Sequence, residues 1–432
     1  MKAQIYEIHQ SYYLCSAIMK LHDPFSALRN KEFRLFLSAK FLITVATQMQ
    51  AIIASWLIYE KTKDPFSLGL IGLAEAIPAL SLALPGGLIA DRFSRKRIML
   101  LSSLLMVISA ITLCVYTNPK ISAQFSNNPF FNGVGTLYFV IFLVGVARGF
   151  YVPAQAAYWA QILPKEKYVN GSVWNSSLWQ IGVVAGPALG GIFYAKTGAF
   201  ISSAIVMILI MLVAVLITFF ANTNISRHSS MESVGESIQK GIRYFFKHPI
   251  LLSAVSLDLF AVLFGGAVAL LPAFADTILH AGPEGLGYLR SAPAIGAVAM
   301  SLIMAFYPPH HAAGKKMLWC VAGFGLCMIA FALSTSFILS FAILLLSGMF
   351  DNVSVVIRST ILQTHTPDEM RGRISAVNSI FVGSSNELGA FESGLAARYL
   401  GLVPSVVFGG IMTLIVVVIT QKMAPALKKL TI

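Results

Sequence analysis

Apolar runs of hydrocarbon-spanning length leave this chain few folds. Each run is about 20 residues or longer, enough for a helix to cross a hydrocarbon core of about 30 Å. In hydrocarbon, backbone N–H and C=O groups must be satisfied within the segment, so such runs fold as spanning helices. The sequence is 57 % hydrophobic and 11 % charged, with a mean hydropathy of +0.76. A soluble domain carries roughly 25 % charged residues, so this chain lacks the polar surface to coat a water-soluble globule. Soluble enzymes, nucleic-acid binders and secreted disulfide scaffolds are excluded. The chain reads as a polytopic membrane protein.

The pattern predicts twelve spans, at 35–59, 67–90, 98–117, 134–158, 169–195, 199–221, 249–278, 285–307, 316–335, 337–363, 372–399 and 403–421. The expected fold class is an all-α membrane protein with twelve transmembrane helices in two six-helix pseudo-repeats. The longest polar interval in the middle, Asn222 to His248, separates six spans from six. This gives a cytoplasmic N-terminal extension 1–34, a bundle 35–221, a linker 222–248, a second bundle 249–421 and a tail 422–432. Within the linker, Met231–Lys247 reads as an amphipathic helix with Ile238, Ile242, Phe245 and Phe246 on one face. Residues 1–34 hold only a short apolar patch around Tyr12–Met19, without a cleavage pattern, which does not make a signal peptide.

Basic residues orient the spans. With the first span entering from the cytoplasm, cytoplasmic segments hold 22 of the 31 Lys and Arg residues. Outer segments hold five, Lys61, Lys63, Lys120, Lys196 and Arg398, while Lys40, Arg148, Arg290 and Arg358 fall within spans. Both termini are therefore expected in the cytoplasm, and the membrane is expected to be a plasma membrane of bacterial inner-membrane type. The net charge of +13 becomes a topology signal and no longer points to nucleic acid. Cys15, Cys114, Cys320 and Cys327 form no CxxC pair and read as small hydrophobes. His310 and His311 sit in a loop and His365 at a helix end, so neither a metal site nor a cofactor is expected. No GxxxxGK[ST] motif supports ATP drive.

The halves repeat. Gln161-Ile-Leu-Pro164-Lys-Glu166 aligns with Thr364-His-Thr-Pro367-Asp-Glu369 at an offset of 203. At the same offset Asn175-Ser176 meets Asn378-Ser379, Gly186 meets Gly389, Gly191 meets Gly394 and Arg148 meets Asp351. Parallel repeats place a substrate site near the membrane midplane between the halves. Two such halves already form one transport unit, which is expected to function as a monomer.

After the second span the chain reads Gly86-Gly87-Leu-Ile-Ala-Asp91-Arg92-Phe-Ser-Arg95-Lys96-Arg97. The glycines allow close helix contact, the acid ends the span and the basic cluster fixes the loop in the cytoplasm. This strongly resembles the loop 2–3 signature of the major facilitator superfamily. The resemblance implies that Asp91 meets the N-terminus of helix 11 beside Arg371-Gly372-Arg373, a latch favoured by the helix dipole. The fifth span carries Gly182-Val-Val-Ala-Gly186-Pro187-Ala-Leu-Gly190-Gly191. Small residues at this spacing admit a neighbouring helix and the proline favours a kink. The run also looks like the antiporter motif of facilitator-type exporters, with Gly296 in helix 8 as its expected partner. Gly285-Leu-Gly-Tyr-Leu-Arg290-Ser-Ala-Pro293, Thr366–Arg373, Ser375–Ser379 and Asn386–Gly389 resemble the enterobactin-exporter branch.

Charges inside spans point to mechanism, because an unpaired one at the bilayer centre costs several kcal/mol. The family fold implies that helices 1, 4, 7 and 10 line the cavity. They hold Arg148, Asp258, Asp351 and Arg358, and Arg148 and Asp351 are expected to face each other across the pseudo-two-fold axis. Glu75 lies in helix 2, and Glu387 and Glu392 in helix 11. Asp258, Asp351, Glu75 and Glu387 are the candidate proton carriers: burial favours a protonated carboxylate and a nearby arginine an ionised one. Each could instead be a static ion pair. Arg148 and Arg358 are candidate sites for an anionic substrate, with Trp56, Tyr151, Trp179 and Phe264 as candidate aromatic walls beside Trp174.

The expected function is proton-coupled export of a small organic molecule, a siderophore first and a hydrophobic drug second. Its partners are that molecule, protons and the lipid bilayer. A siderophore importer, a multidrug exporter, a lipid flippase and a non-transporting receptor remain alternatives at this stage.

Overall fold

The computed structural model describes residues 25–124, 133–220, 242–307, 312–367, 370–428 and 430. The first helix, α1 (Lys31–Thr62), is N-capped by Asn30, whose side chain accepts from the backbone N–H of Glu32 and Phe33. It ends at Lys63 in the left-handed region. Asp64 and Pro65 at once start α2 (Pro65–Arg92), a side-chain cap followed by a ring already set for the first turn. Next come α3 (Arg95–Thr117) and α4 (Gly135–Ile162). One continuous assignment, Tyr168–Thr218, contains α5 (168–197) and α6 (199–218), parted at Gly198. The second half holds α7 (Pro249–Thr277), α8 (Gly282–Phe306), α9 (Ala313–Leu333), α10 (Phe337–Thr364), α11 (Arg371–Leu400) and α12 (Leu402–Met423). Ten helices among the described residues are long and apolar enough to cross a membrane. The Gly198 break and the more polar α11 bring the segments to twelve.

Gly198 has φ 78° and ψ 174°, and Gly401 between α11 and α12 has φ 92° and ψ 163°. This backbone region is essentially closed to residues with a Cβ. The two glycines stand at the repeat offset of 203, so one turn geometry closes both helix pairs. At Gly198 the chain reverses. The start of α5 lies beside the start of α1, where Asn170 accepts from the N–H of Ala27 at 3.0 Å. The end of α6 lies beside the start of α3, where Lys96 Nζ donates to the carbonyl of Thr218 at 2.8 Å. Gly198→Ala and Gly401→Ala are each expected to cost about 1–3 kcal/mol, read as a lower midpoint in thermal unfolding in detergent.

Residues 27–220 supply one continuous core, including Phe36, Met49, Met106, Tyr151, Tyr158 and Phe220. A second core draws only on 245–427, with Leu251, Met317, Ile357 and Val377. A third joins the halves, setting Ile52 and Trp56 of α1 among Leu270, Phe274, Leu289 and Phe331. The face where α1 begins is called near and the opposite one far.

Three expectations change. α1 begins at Lys31, ahead of the predicted 35, because Asn30 caps it and donates to the carbonyl of Ile162 at 2.9 Å. α7 is not continuous: it stops at Phe264, passes Gly265-Gly266 and a 3₁₀ turn, and resumes at Leu271–Thr277. Of the linker face, Phe245 alone is buried among the described residues, edge-on to Phe381 at 6.2 Å, while Ile242 and Phe246 are exposed. Ile238 and most of Met231–Lys247 lie outside the described residues.

Candidate functional site

Two seams join the halves, and glycines set both. On the first, α2 meets α11: a Cβ on Gly394 would sit 2.6 Å from Gly69 Cα, and one on Gly72 would sit 2.7 Å from the Glu387 carbonyl oxygen. On the second, α5 meets α8: a Cβ on Gly191 would sit 3.0 Å from Gly287 Cα. There Ser291 Oγ donates to the carbonyl of Val184 at 2.8 Å. Gly191 and Gly394 are repeat mates, so the seams are pseudo-symmetric copies. Phe66 faces Phe391 across the first at 6.1 Å, and the Arg398 guanidinium lies 5.0 Å over the Phe66 ring. These contacts lie in the far half of the helices.

Near mid-depth the seams converge on charge. Gly145 lets α2 press on α4, since a Cβ there would sit 2.5 Å from the Glu75 carbonyl oxygen. One turn further along α4, Arg148 forms an ion pair with Glu75. Glu387, brought in by the Gly72 contact, acts electrostatically on Arg148, and Arg290 of α8 lies in the field of both Glu75 and Glu387. Two carboxylates and two guanidiniums from four helices thus lie within one another's field, shared between the halves. At 1.5 Å per residue, Glu75 lies roughly 15 Å from the far end of α2, about half the hydrocarbon thickness.

Several expected groupings do not form. Arg148 does not face Asp351; it pairs with Glu75, because the glycines of α4 bring α2 closer than α10. Asp351 has neither hydrogen bond nor ion pair among the described residues. Asp258 of α7 and Arg358 of α10 form an ion pair with both side chains 6 % exposed. Both arginines expected to receive an anion are therefore held by carboxylates. The aromatic wall is scattered: Trp56 fills the core between the halves and Tyr151 the first-half core, while Trp179 is 45 % exposed. Phe264 ends the first segment of α7, its carbonyl against Gly409. Trp174 stacks obliquely on Phe25 at 5.7 Å. Glu392 lies on α11 beyond the cluster.

Gly182, Gly186 and Gly190 pack α5 on α1, against Thr44, Gln48 and Met49, while Pro187 lies inside α5 and its carbonyl meets Gly287. The α8 partner of α5 is thus Gly287 and not Gly296, which packs on Leu345 of α10. On the near face, Arg95 Nη1 donates to the carbonyl of Ala157 at 3.2 Å, tying the α2–α3 turn to α4, and Arg92 is exposed. The side chains of Asp91, Arg371 and Arg373, the expected latch, lie outside the described residues.

The sequence reading did not single out Arg290 for the site. A signal was present: Glu75-Ala-Ile-Pro78 and Arg290-Ser-Ala-Pro293 each place a charge three residues before a proline inside a helix.

On the far face Lys63 Nζ donates to Asp276 Oδ2 at 2.7 Å, joining the α1–α2 turn to the end of α7. This bond holds the Lys63 pKa above its usual value. A raised amine pKa stabilises the closed contact fully below the free-lysine value of about 10.4 and loses that contribution as pH rises through the folded value. With Lys63 56 % exposed, solvent screening limits the effect to about 0–1 kcal/mol. Fluorescence of Trp56, in the neighbouring core, is expected to change as pH rises above about 10.4 and to lose that step in Lys63→Gln.

Comparison with known proteins agrees with this architecture. The family model described as Major Facilitator Superfamily matches residues 36–390. An uncharacterized MFS-type transporter, YfiS of Bacillus subtilis (strain 168), is 23 % identical over 414 residues, covering 89 % of this chain and 94 % of the relative. The enterobactin exporter EntS of Shigella flexneri is 24 % identical over 380 residues, covering 85 % and 83 %. Among solved structures, the nucleoside transporter NupG superposes with a TM-score of 0.70 at 13 % identity, covering 91 % of this chain and 99 % of that one. With the family model matching most of its length, the chain belongs to the Major Facilitator Superfamily, a family of multi-pass membrane transporters.

Proposed function

We propose that the protein exports a small organic molecule, most simply a siderophore, in exchange for protons. The supporting observation is the Glu75–Arg148–Arg290–Glu387 cluster, which spans both halves at mid-depth. Rocking of one half against the other changes distances inside such a cluster. A carboxylate that loses its arginine partner gains affinity for a proton, and one that regains it releases the proton. Substrate hydroxyl groups that donate to Glu387 compete with a proton there, which gives exchange in place of co-transport. The likeness to EntS favours a siderophore cargo and outward direction. The basic residues of the near-face segments set that face in the cytoplasm, in a bacterial inner membrane. The 35–221 and 249–421 bundles are the two rocking bodies of one monomeric transport unit.

Inside-out vesicles with an imposed proton gradient test the proposal, with enterobactin as the probe. Gradient-dependent accumulation is the expected result. Equal accumulation without a gradient removes proton exchange, and accumulation only in right-side-out vesicles makes the protein an importer.

A further inference from the structure

Four cations stand within the membrane spans, and the structure accounts for three. Lys40 Nζ donates to Asn175 Oδ1 at 2.6 Å, Arg148 is paired with Glu75 and Arg358 with Asp258. Arg290 alone among them has neither a hydrogen bond nor an ion pair among the described residues. Its helix is nonetheless fixed: Gly287 sits against Gly191 one turn before it, and Ser291 is bonded to Val184 beside it. Arg290 is half-buried. The carboxylates whose field reaches it are Glu75, already held by Arg148, and Glu387, which has no contact partner of its own among the described residues. An arginine at this depth without a direct hydrogen-bonding partner is costly. Resting on the transport reading above, we propose that Arg290 anchors the anionic group of the transported molecule. The group is a carboxylate that offers two oxygens to the planar fork, on a molecule whose hydroxyl groups donate to Glu387. Arg148 and Arg358 are not the anchors.

Equilibrium binding to the purified full-length protein tests this with two probes alike in shape, 2,3-dihydroxybenzoate and its neutral amide. Arg290→Gln is expected to weaken benzoate binding about tenfold or more, the usual scale for a charge-assisted pair, and to leave amide binding unchanged. Arg290→Lys keeps the charge without the fork and is expected to fall between. A merely structural arginine would move both probes alike. Equal loss of both, or no benzoate binding by wild type, overturns the anchor. Binding that depends on Arg290 without gradient-driven flux removes proton-coupled export and leaves the anchor standing. Flux with binding indifferent to Arg290 does the reverse.

Discussion

Glu387→Gln is expected to remove the pH dependence of substrate binding and with it accumulation against a gradient, while downhill exchange continues. The expectation comes from the cluster. Glu387 has no hydrogen bond or ion pair among the described residues, so its occupancy by a proton responds to its burial and to how near Glu75, Arg148 and Arg290 stand. Glutamine mimics the protonated side chain in shape and cannot cycle. Coupling between two ligands of one protein is typically about 1–3 kcal/mol, or about 5–150-fold in affinity, and a loss of that order is expected. Substrate affinity measured at pH 6 and pH 8 in wild type and variant checks it. A pH dependence that survives in Glu387→Gln moves the proton to another intramembrane acid, with Asp351, which has no hydrogen bond or ion pair among the described residues, tested next. Glu75→Gln is expected to act differently: it frees Arg148 and changes affinity at every pH.

Asp258→Asn is expected to act mainly on stability. The Asp258–Arg358 pair is closed and buried in the second half, with α7 and α10 as its two sides. Removing one partner leaves an uncompensated guanidinium, which costs about 3–5 kcal/mol for a buried pair. Thermal unfolding in detergent is expected to shift strongly downward, and replacing both residues with apolar ones of similar volume to restore most of it. If Asp258→Asn unfolds like wild type but loses flux, the pair is a working part of the proton path.

The fold was legible because lipid imposes one rule on every span, and the apolar runs obey it. α11 is the instructive helix. Its Arg371, Arg373, Glu387, Glu392 and Arg398 keep it out of the ten most apolar helices, yet the apolar run 372–399 still marks it and its match to α5 at the fixed offset supports it. The same offset misled at Arg148 and Asp351. Repeat mates occupy equivalent places in two bundles, and equivalence is not contact. Contact follows from where backbones approach most closely, and that is set by Gly72 and Gly145. The α7 break at Gly265-Gly266 was hidden for a related reason: both flanks are apolar, so the pattern runs on through the interruption.

The turns on the far face leave little chain exposed there. Residues 63–64 join α1 to α2, 278–281 join α7 to α8, and 334–336 join α9 to α10, while Gly198 and Gly401 each close a pair alone. Only the α3–α4 connection, 118–134, is long. A protease, antibody or phage that approached from that side would meet helix ends and the 118–134 connection. A tag or cleavage site meant to be reached from there belongs in 118–134, because any other insertion would have to prise apart a turn of one to four residues.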